Sequence, residues 1–316
     1  GSHGENLFVM DFLEIPYPSH YPEQGKGGGP ITMVDTEFIE RIDFYAGAFP
    51  ARYGEKLSSV MDVTLREGNS NSHHQQMDLN MAGFGFTFEG PLSPKSTYLY
   101  SLKRSFLDFV ISSTGMQAIP EYWSSQSKIA YHLSPTQKIY INFIGGIDEI
   151  NIEGEDNPQL RGAENVDYSS WQTTLGVTYK NLFSKKGYFQ SSIGRSLVHL
   201  NTNVYELNDN PTRNYYYRNN DLESDYSFRS EVVYKLFDNV EISSGLSAKH
   251  VELDFDNWYK NNPTYIYGYS LSESEIPQLI TKVKFDTTYF GKQYFYTIID
   301  SVGTLDTLKT NALLEY

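Results

Sequence analysis

The sequence predicts a mostly β protein, a transmembrane antiparallel β-barrel preceded by a small domain of its own. Three observations predict this fold. Apolar residues recur at every second position along most of the chain, as in strands with one apolar face. Short and long connections alternate between these strands, as they do in outer-membrane barrels. The 316 residues include 26 Tyr, 19 Phe and 24 Gly, a composition typical of strands rather than helices.

Composition also excludes several classes of protein. There is no run of 18 apolar residues and mean hydropathy is −0.47, so the chain must enter a lipid bilayer through strands if it does so at all. A net charge of −14 argues against a nucleic-acid partner, because phosphate binding needs clustered Lys and Arg. The chain has no Cys, which excludes a disulfide framework and a Cys-ligated metal.

The first element is a segment of about 70 residues that ends in a dense series of short motifs. Ile39–Phe44 reads as a strand, Gly47 as a turn, Ala51–Gly54 as a corner and Asp62–Gly68 as a last strand. In this order they resemble the end of the plug domain of TonB-dependent outer-membrane transporters. Upstream, residues 1–20 are similar to the preceding plug segment, except that Phe12 stands where that family usually has Gly. The set is specific, although any one tetrapeptide of it would be weak evidence.

This resemblance implies a domain organisation. Residues 1–70 would be the C-terminal part of the plug, and residues 71–316 the N-terminal part of an outer-membrane barrel. The family's barrels have 22 strands, of which this chain holds about ten. The remaining strands are expected in further sequence or in another chain, because an open sheet in lipid would leave unpaired backbone groups. Gly1–His3 reads as native sequence rather than a tag remnant, since it merges into the plug pattern.

The strands after residue 71 are predicted from alternation and from their connections. The clearest is Trp171–Lys180, where Trp, Leu, Val and Tyr alternate with Gln, Thr, Gly and Lys. Ala82-Gly83 is predicted to be a tight hairpin. Short turns are predicted at 91–95, 134–137, 182–187 and 237–239, and long loops at about 111–121, 149–167, 204–221 and 257–310.

A Tyr followed by a basic residue precedes three of the short turns, at Tyr131-His132, Tyr179-Lys180 and Tyr234-Lys235. Such pairs at one height are typical of a ring at a lipid–water interface. The competing interpretation is chance, because Tyr is common in this chain.

Four plug charges are candidates for the interface with the barrel: Glu40, Arg41, Arg52 and Arg66. The family resemblance suggests that such residues face ionised groups on the barrel wall, where a hydrated interface would keep the plug extractable. Ordinary surface ion pairing is an equally good interpretation, and each such pair contributes only about 0–1 kcal/mol.

Aromatic residues in the predicted outer loops are candidates for ligand contact, since aromatic rings stack on sugars and on aromatic chelates. They are Tyr215, Tyr216, Tyr217, Trp258, Tyr259, Tyr265 and Tyr267. Packing of the loops against each other is the alternative. The glycine-rich stretch 25–30 fits a plug loop whose apex, as the resemblance implies, touches substrate from below.

Signals for an enzyme or a metal centre are weak. No Gly-x-Ser-x-Gly elbow, phosphate loop or His-Glu-x-x-His is present, so the chain is not expected to be an enzyme and no cofactor is expected. The His73-His74 pair lies in a polar spacer. An acidic outer loop with Asp148, Glu149, Glu153 and Glu155 is rich enough in oxygen to hold Ca²⁺, but a solvated loop is favoured because the spacing fits no calcium loop.

The resemblance implies TonB-dependent import of a scarce nutrient of the siderophore, glycan or peptide class across the outer membrane of a Gram-negative bacterium. TonB–ExbB–ExbD would act through a TonB box upstream of Gly1. Residues 1–37 resemble receptors of Bacteroidota most, which implies that a surface lipoprotein can be a partner. Two alternatives remain open: a barrel with a signalling or assembly role in an envelope complex, and a soluble β-rich binding module.

Overall fold

The structure is a computed structural model that describes most of the chain as far as Lys260 and short pieces beyond it. The described ranges are residues 3–24, 29, 31–54, 57–80, 83–105, 118–152, 165–207, 213–260, 267–268, 284–285, 296–297 and 311–312. The described part is nearly all β, with two short 3₁₀ turns at His3–Glu5 and Thr36–Phe38. No helix among these residues is long and apolar enough to cross a membrane.

The N-terminal strands form a small sheet that we call the plug sheet. It consists of β1 Asn6–Met10, β2 Leu13–Glu14, β3 Ile39–Tyr45 and β4 Ser59–Leu65, in the order β2-β1-β4-β3. Strand β1 runs parallel to β4, and the other pairs are antiparallel. The strands predicted at 39–44 and 62–68 therefore lie side by side. Phe38, Met10 and Leu65 are almost fully buried against this sheet.

The following strands form a second, larger sheet that we call the wall sheet. It consists of β5 His74–Asn80, β6 Gly83–Ser93, β7 Ser96–Ser105, β8 Ala118–Ser134, β9 Gln137–Ile152, β10 Asn165–Ser184, β11 Gly187–Leu207, β12 Arg213–Phe237, β13 Val240–Asp254 and β14 Asn257–Tyr259. Strands β5 to β13 pair antiparallel in sequence order, and β14 folds back onto β12. The chain beyond Tyr259 is a separate unit, in which β15 Tyr267–Gly268 pairs with β18 Asn311–Ala312, and β16 Lys284–Phe285 with β17 Tyr296–Thr297.

The connections correct part of the predicted loop map. All four short turns are present, with two residues each between β6 and β7, β8 and β9, β10 and β11, and β12 and β13. The predicted long loop at 204–221 is wrong, because β11 runs to Leu207 and β12 begins at Arg213. Gly83, predicted in a turn, is the first residue of β6 and pairs with Asn80; the connection itself lies outside the described residues. Long polar strands look like loops in sequence because alternation weakens where both faces meet water.

The wall sheet has an inner face, which contacts the plug sheet, and an outer face that carries a band of exposed apolar residues. Aromatic residues on the outer face bound this band on three strands, at Trp123 and Tyr131, Trp171 and Tyr179, and Tyr226 and Tyr234. Each pair spans nine residues, which matches the 9–11 residues of a transmembrane strand. Gln, Thr, Ser and Gly alternate with them on the inner face.

In the predicted ring of Tyr and basic residues, the Tyr positions fit and the basic positions are wrong. Tyr131 and Tyr234 are exposed on the outer face, as a lipid–water interface requires. The basic neighbour points the other way, because successive strand residues face opposite sides. His132 contacts Glu67 beside the plug sheet at 2.6 Å, and therefore belongs to the interior.

Candidate functional site

The candidate site is the contact between the plug sheet and the inner face of the wall sheet. Its driest part surrounds Leu13, which is 1% exposed. Leu13 lies over Gly176 of β10 and Gly194 of β11, which are direct cross-strand partners. A Cβ on either glycine would overlap the Leu13 side chain. The two glycines thus form a notch that receives one plug residue, which we call the glycine notch.

The hairpin that carries Leu13 has a strained tip held by the wall. Asp11 and Phe12 have φ values of 49° and 71°, and positive φ at both central residues is the requirement of a type I′ hairpin turn. Thr178 Oγ1 donates to the Asp11 carbonyl at 3.0 Å, and Ser192 Oγ to the Phe12 carbonyl at 2.9 Å. Phe12 therefore adopts the backbone conformation that the usual Gly would adopt, with hydrogen bonds from the wall at its tip.

A buried lysine joins the same hairpin to the end of β4. Lys128 of β8 is 2% exposed, and its Nζ lies 2.9 Å from Asp11 Oδ2. The same ammonium donates to the Leu65 carbonyl at 2.5 Å and lies 4.4 Å from the Tyr140 ring centroid. Because the charge is paired and hydrogen-bonded, it is tolerated in the interior, and removing either partner would leave an uncompensated buried charge.

A more hydrated group of ion pairs holds the segment that leaves the plug sheet. Glu67 accepts from His132 Nε2 at 2.6 Å and from Lys138 Nζ at 2.7 Å. Arg66, a predicted interface residue, pairs with Glu89 of β6 at 2.6 Å. We call these five side chains the linker clamp. Burial would raise the pKa of the Glu67 carboxyl, but hydrogen bonds from Lys138 and His132 outweigh it and hold the pKa below its ordinary value.

The predicted residue Arg52 also faces the wall. Its Nε lies 3.4 Å from Glu231 of β12, and Arg229 donates to the Arg52 carbonyl at 2.8 Å. Beside it the Tyr53 hydroxyl donates to Asp62 at 2.5 Å. Burial raises the pKa of Asp62, although the Tyr53 hydrogen bond and the charge of Arg229 oppose this shift.

The other two predicted interface charges have different surroundings. Arg41 pairs with Asp43 on its own strand at 3.0 Å rather than with the wall. Glu40 is exposed. Both line a polar cavity of about 180 Å³, together with Glu67, Lys128 and other side chains of both sheets. The interface here contains a polar cavity rather than close packing.

The acidic loop that suggested Ca²⁺ is partly strand. Asp148 belongs to β9 and is buried, with His20 Nδ1 2.5 Å from its Oδ1. Its Oδ2 accepts from the Tyr21 backbone N–H and from Ser170 Oγ, both at 3.0 Å. The predicted solvated position of Asp148 is therefore wrong, and its oxygens are occupied by protein donors. Glu153 and Glu155 lie outside the described residues.

The predicted aromatic contacts are mostly on strands. Tyr215, Tyr216 and Tyr217 belong to β12, and Trp258 and Tyr259 to β14. The rings of Tyr217 and Tyr259 lie 4.8 Å apart, and the Tyr216 hydroxyl donates to Glu206. Tyr265 lies outside the described residues, as does most of the glycine-rich stretch 25–30. Tyr267 is in β15.

His73 and His74 have separate partners. His73 Nδ1 lies 3.3 Å from the Tyr98 hydroxyl, and His74 Nε2 lies 2.9 Å from Ser72 Oγ. Within the described ranges, no group of three or more His, Cys, Asp or Glu side chains is arranged to hold a metal ion.

Comparison with known proteins identifies the fold. No protein-family model and no curated protein matches the chain. A mutant of the ferric enterobactin receptor PfeA from Pseudomonas aeruginosa matches with a TM-score of 0.55 and 15% identity, over 85% of this chain and 44% of that one. The copper transporter OprC matches with 0.56 and 9% identity, over 98% and 42%. FpvA of P. aeruginosa, in complex with a heterologous ferric pyoverdine, matches with 0.57 and 10% identity, over 81% and 37%.

At these identities the likeness shows the fold alone. It is the fold of TonB-dependent receptors, a plug with a β-barrel, of which this chain spans less than half the length of each of those three proteins. The wall sheet is accordingly part of a barrel, and its inner face is the barrel's inside.

Proposed function

We propose that the chain is the plug and first barrel strands of a TonB-dependent importer in the outer membrane of a Gram-negative bacterium. Residues 1–70 would be plug and residues 71–316 barrel. The observation that carries the proposal is the way the plug sheet occupies the inner face of the wall. It is attached by enclosed contacts at the glycine notch, at Lys128–Asp11 and at His20–Asp148, and by more exposed ion pairs of Arg52, Arg66 and Lys138.

Such an attachment suits a plug that closes a barrel and yet moves. A wholly apolar interface would resemble a domain core and stay closed, whereas polar interfaces within a chain permit relative motion. Breaking exposed ion pairs costs little, about 0–1 kcal/mol each. TonB, with ExbB and ExbD, would supply the work through a segment upstream of Gly1. A surface lipoprotein partner and a Bacteroidota source belong to the same proposal.

The proposed substrate is a scarce nutrient of the siderophore, glycan or peptide class. Support comes from aromatic side chains on the long outer end of β12 and on the short strand β14, where the Tyr217 and Tyr259 rings contact each other. Aromatic rings bind sugars, peptides and aromatic chelates through their faces. Enzyme chemistry is not needed for this role.

The test is uptake by cells that express the full-length receptor, with and without TonB. Labelled nutrients of the three classes are compared, and binding to intact cells is measured separately from accumulation. We expect one class to be bound in both strains and accumulated only when TonB is present. No TonB-dependent accumulation of any of the three classes, together with an envelope activity of the protein that survives TonB deletion, would favour the signalling or assembly role. A protein extracted by aqueous buffer without detergent would favour the soluble module.

A further inference from the structure

A buried carboxylate near the outer end of β12 lacks a counter-charge. Asp221 is 0% exposed, and among the described residues no Lys, Arg or His forms an ion pair with it. Its oxygens accept from Asn219 Nδ2 at 2.5 Å, from the Asp256 backbone N–H at 3.1 Å and from Asn257 Nδ2 at 3.3 Å. All three donors are neutral, so the negative charge stays uncompensated.

The surroundings do not supply the missing positive charge. Asp221 shares the inner face of β12 with Glu223, which accepts from the Tyr17 hydroxyl of the plug segment at 2.5 Å. Next along that face, Asp225 lies 3.9 Å from Lys249, which also contacts Glu14. A buried ion is stable when it is paired or when it coordinates a metal. Lys249 is thus engaged by other carboxylates, and a bound cation would supply the partner that the described residues do not.

A second observation concerns Asn219, which is 7% exposed. Its Oδ1 is buried and has no hydrogen-bond partner. Its Nδ2 contacts two oxygens, Asp221 Oδ2 at 2.5 Å and Asn257 Oδ1 at 2.9 Å. The first distance is below the usual 2.7–3.2 Å of an N–H···O bond. A 180° rotation of the Asn219 side-chain amide exchanges the positions of Oδ1 and Nδ2. Asn219 Oδ1 then lies near Asp221 Oδ2 and Asn257 Oδ1, so that three side-chain oxygens converge on one point.

We propose that Asn219, Asp221 and Asn257 form a site for a divalent cation of the Ca²⁺ type. Carboxylate and amide oxygens are the ligands of this hard ion, and water completes its 6–8 oxygens. The site is distinct from the acidic loop singled out in the sequence, and it does not depend on the transport function. One carboxylate and two amides give a weak site, in the range of about 10⁻⁴–10⁻³ M that extracellular modules show.

The position of the site gives it a structural role. Asn219 and Asn257 are cross-strand partners in the short pairing of β12 with β14, and the next pair but one is Tyr217 with Tyr259. The Tyr217 hydroxyl also donates to Asn257 Oδ1 at 3.1 Å. A cation bound here holds β14 on β12 and keeps the two rings together at the inner face of the barrel's outer end.

The test uses Tb³⁺, which replaces Ca²⁺ and luminesces when a nearby aromatic ring transfers energy to it. Full-length receptor in detergent is titrated with Tb³⁺, and the bound Tb³⁺ is then displaced with Ca²⁺ or with K⁺. We expect emission sensitised by the neighbouring Tyr and Trp rings, displaced by Ca²⁺ and not by K⁺. Asp221→Asn is expected to weaken binding by about tenfold or more, because it removes the only charged ligand.

Two further variants make the result decisive. Asp167→Asn removes a carboxylate of β10 that pairs with Arg213, and it should leave Tb³⁺ affinity unchanged. Asn219→Asp adds a carboxylate beside Asp221, so it should tighten Ca²⁺ binding several-fold and make the protein's stability dependent on Ca²⁺. Absence of sensitised emission from the wild type, equal affinity in Asp221→Asn, or an Asn219→Asp protein that Ca²⁺ does not stabilise would each overturn the proposal.

Discussion

Two regions of the interface hold the plug sheet to the wall sheet, one through buried contacts and the other through exposed ion pairs. At the glycine notch and the Lys128–Asp11 pair of the same hairpin, Leu13 and Lys128 are at most 2% exposed. In the linker clamp, the Lys138, His132 and Glu67 side chains are 27–39% exposed. Removing one partner of an enclosed contact lowers the free energy of unfolding by several kcal/mol. Removing one partner of an exposed ion pair lowers it by at most about 1 kcal/mol. The plug sheet is therefore held firmly at the first group of contacts and loosely at the linker clamp.

This difference in burial predicts which contact between the plug sheet and the wall sheet opens first. A segment opens locally with a free energy that reflects its buried contacts, and regions with few such contacts open most easily. The linker clamp is expected to exchange with water while the β1–β2 hairpin stays in place. Native-state hydrogen exchange of the full-length protein measures both opening free energies and gives the readout for the variants below.

The largest effect is expected from Lys128→Met. It leaves Asp11 buried without a charge partner and removes the donor to the Leu65 carbonyl, which should lower the opening free energy of β1 and β4 by about 3–5 kcal/mol. The matched control is Lys138→Met in the linker clamp, with an expected loss of no more than about 1 kcal/mol. Equal losses from the two variants would erase the distinction between the regions.

A slightly smaller effect is expected at the glycine notch. Leu13→Ala should cost about 2–5 kcal/mol through the cavity it leaves, and Gly194→Ala about 1–3 kcal/mol through overpacking. The double variant should lose less than the sum, because the smaller residue makes room for the new methyl group. Gly85→Ala is the control, since its Cβ would meet mainly the flexible Lys103 side chain. Strict additivity would mean that Leu13 does not fill the notch.

The smallest effect is expected from pH. Because the pKa of Glu67 is lowered in the folded state, its ion pairs stabilise the plug above the ordinary Glu pKa of about 4.3 and fail as pH falls through the lowered value. Asp62 has a raised pKa, so its contribution has the opposite sign and declines as pH rises through that value. Glu67→Gln should flatten the rise of stability with pH, and Asp62→Asn should steepen it. Thermal unfolding of both variants between about pH 3 and 7 checks the signs.

Much of the fold follows from the sequence because strand alternation and turn chemistry are local. The four short turns were predictable from residues such as Pro94 and Pro135, and the plug strands from the spacing that ends at Gly68. The outer ends of β11 and β12 were not. Residues 204–221 read as a loop because polar residues interrupt their alternation. Long-range pairings such as Val204 with Tyr217 place residues 204–207 and 213–221 in strands.

The site was predictable only where one residue carries the signal. Arg52 and Arg66 were candidates because they stand beside apolar plug residues and because the family resemblance suggests that such charges face the barrel wall. Leu13, Gly176 and Gly194 gave no such signal, because a leucine in a strand and a glycine on a polar face are ordinary. Their fit depends on the register of β10 against β11 and on contacts across more than 160 residues of chain, which local patterns do not encode.

The length of β12 has a consequence for recognition. About 13 residues, from Arg213 to Asp225, precede the first aromatic residue of the apolar band at Tyr226, and at about 3.3 Å per residue they reach some 40 Å along the strand beyond it. Under the proposed function, a ligand that reaches this part of β12 contacts hydrogen-bonded sheet rather than a loop. A hydrogen-bonded sheet loses little conformational entropy when a ligand binds to it. Most of the entropy lost on binding is therefore the ligand's own.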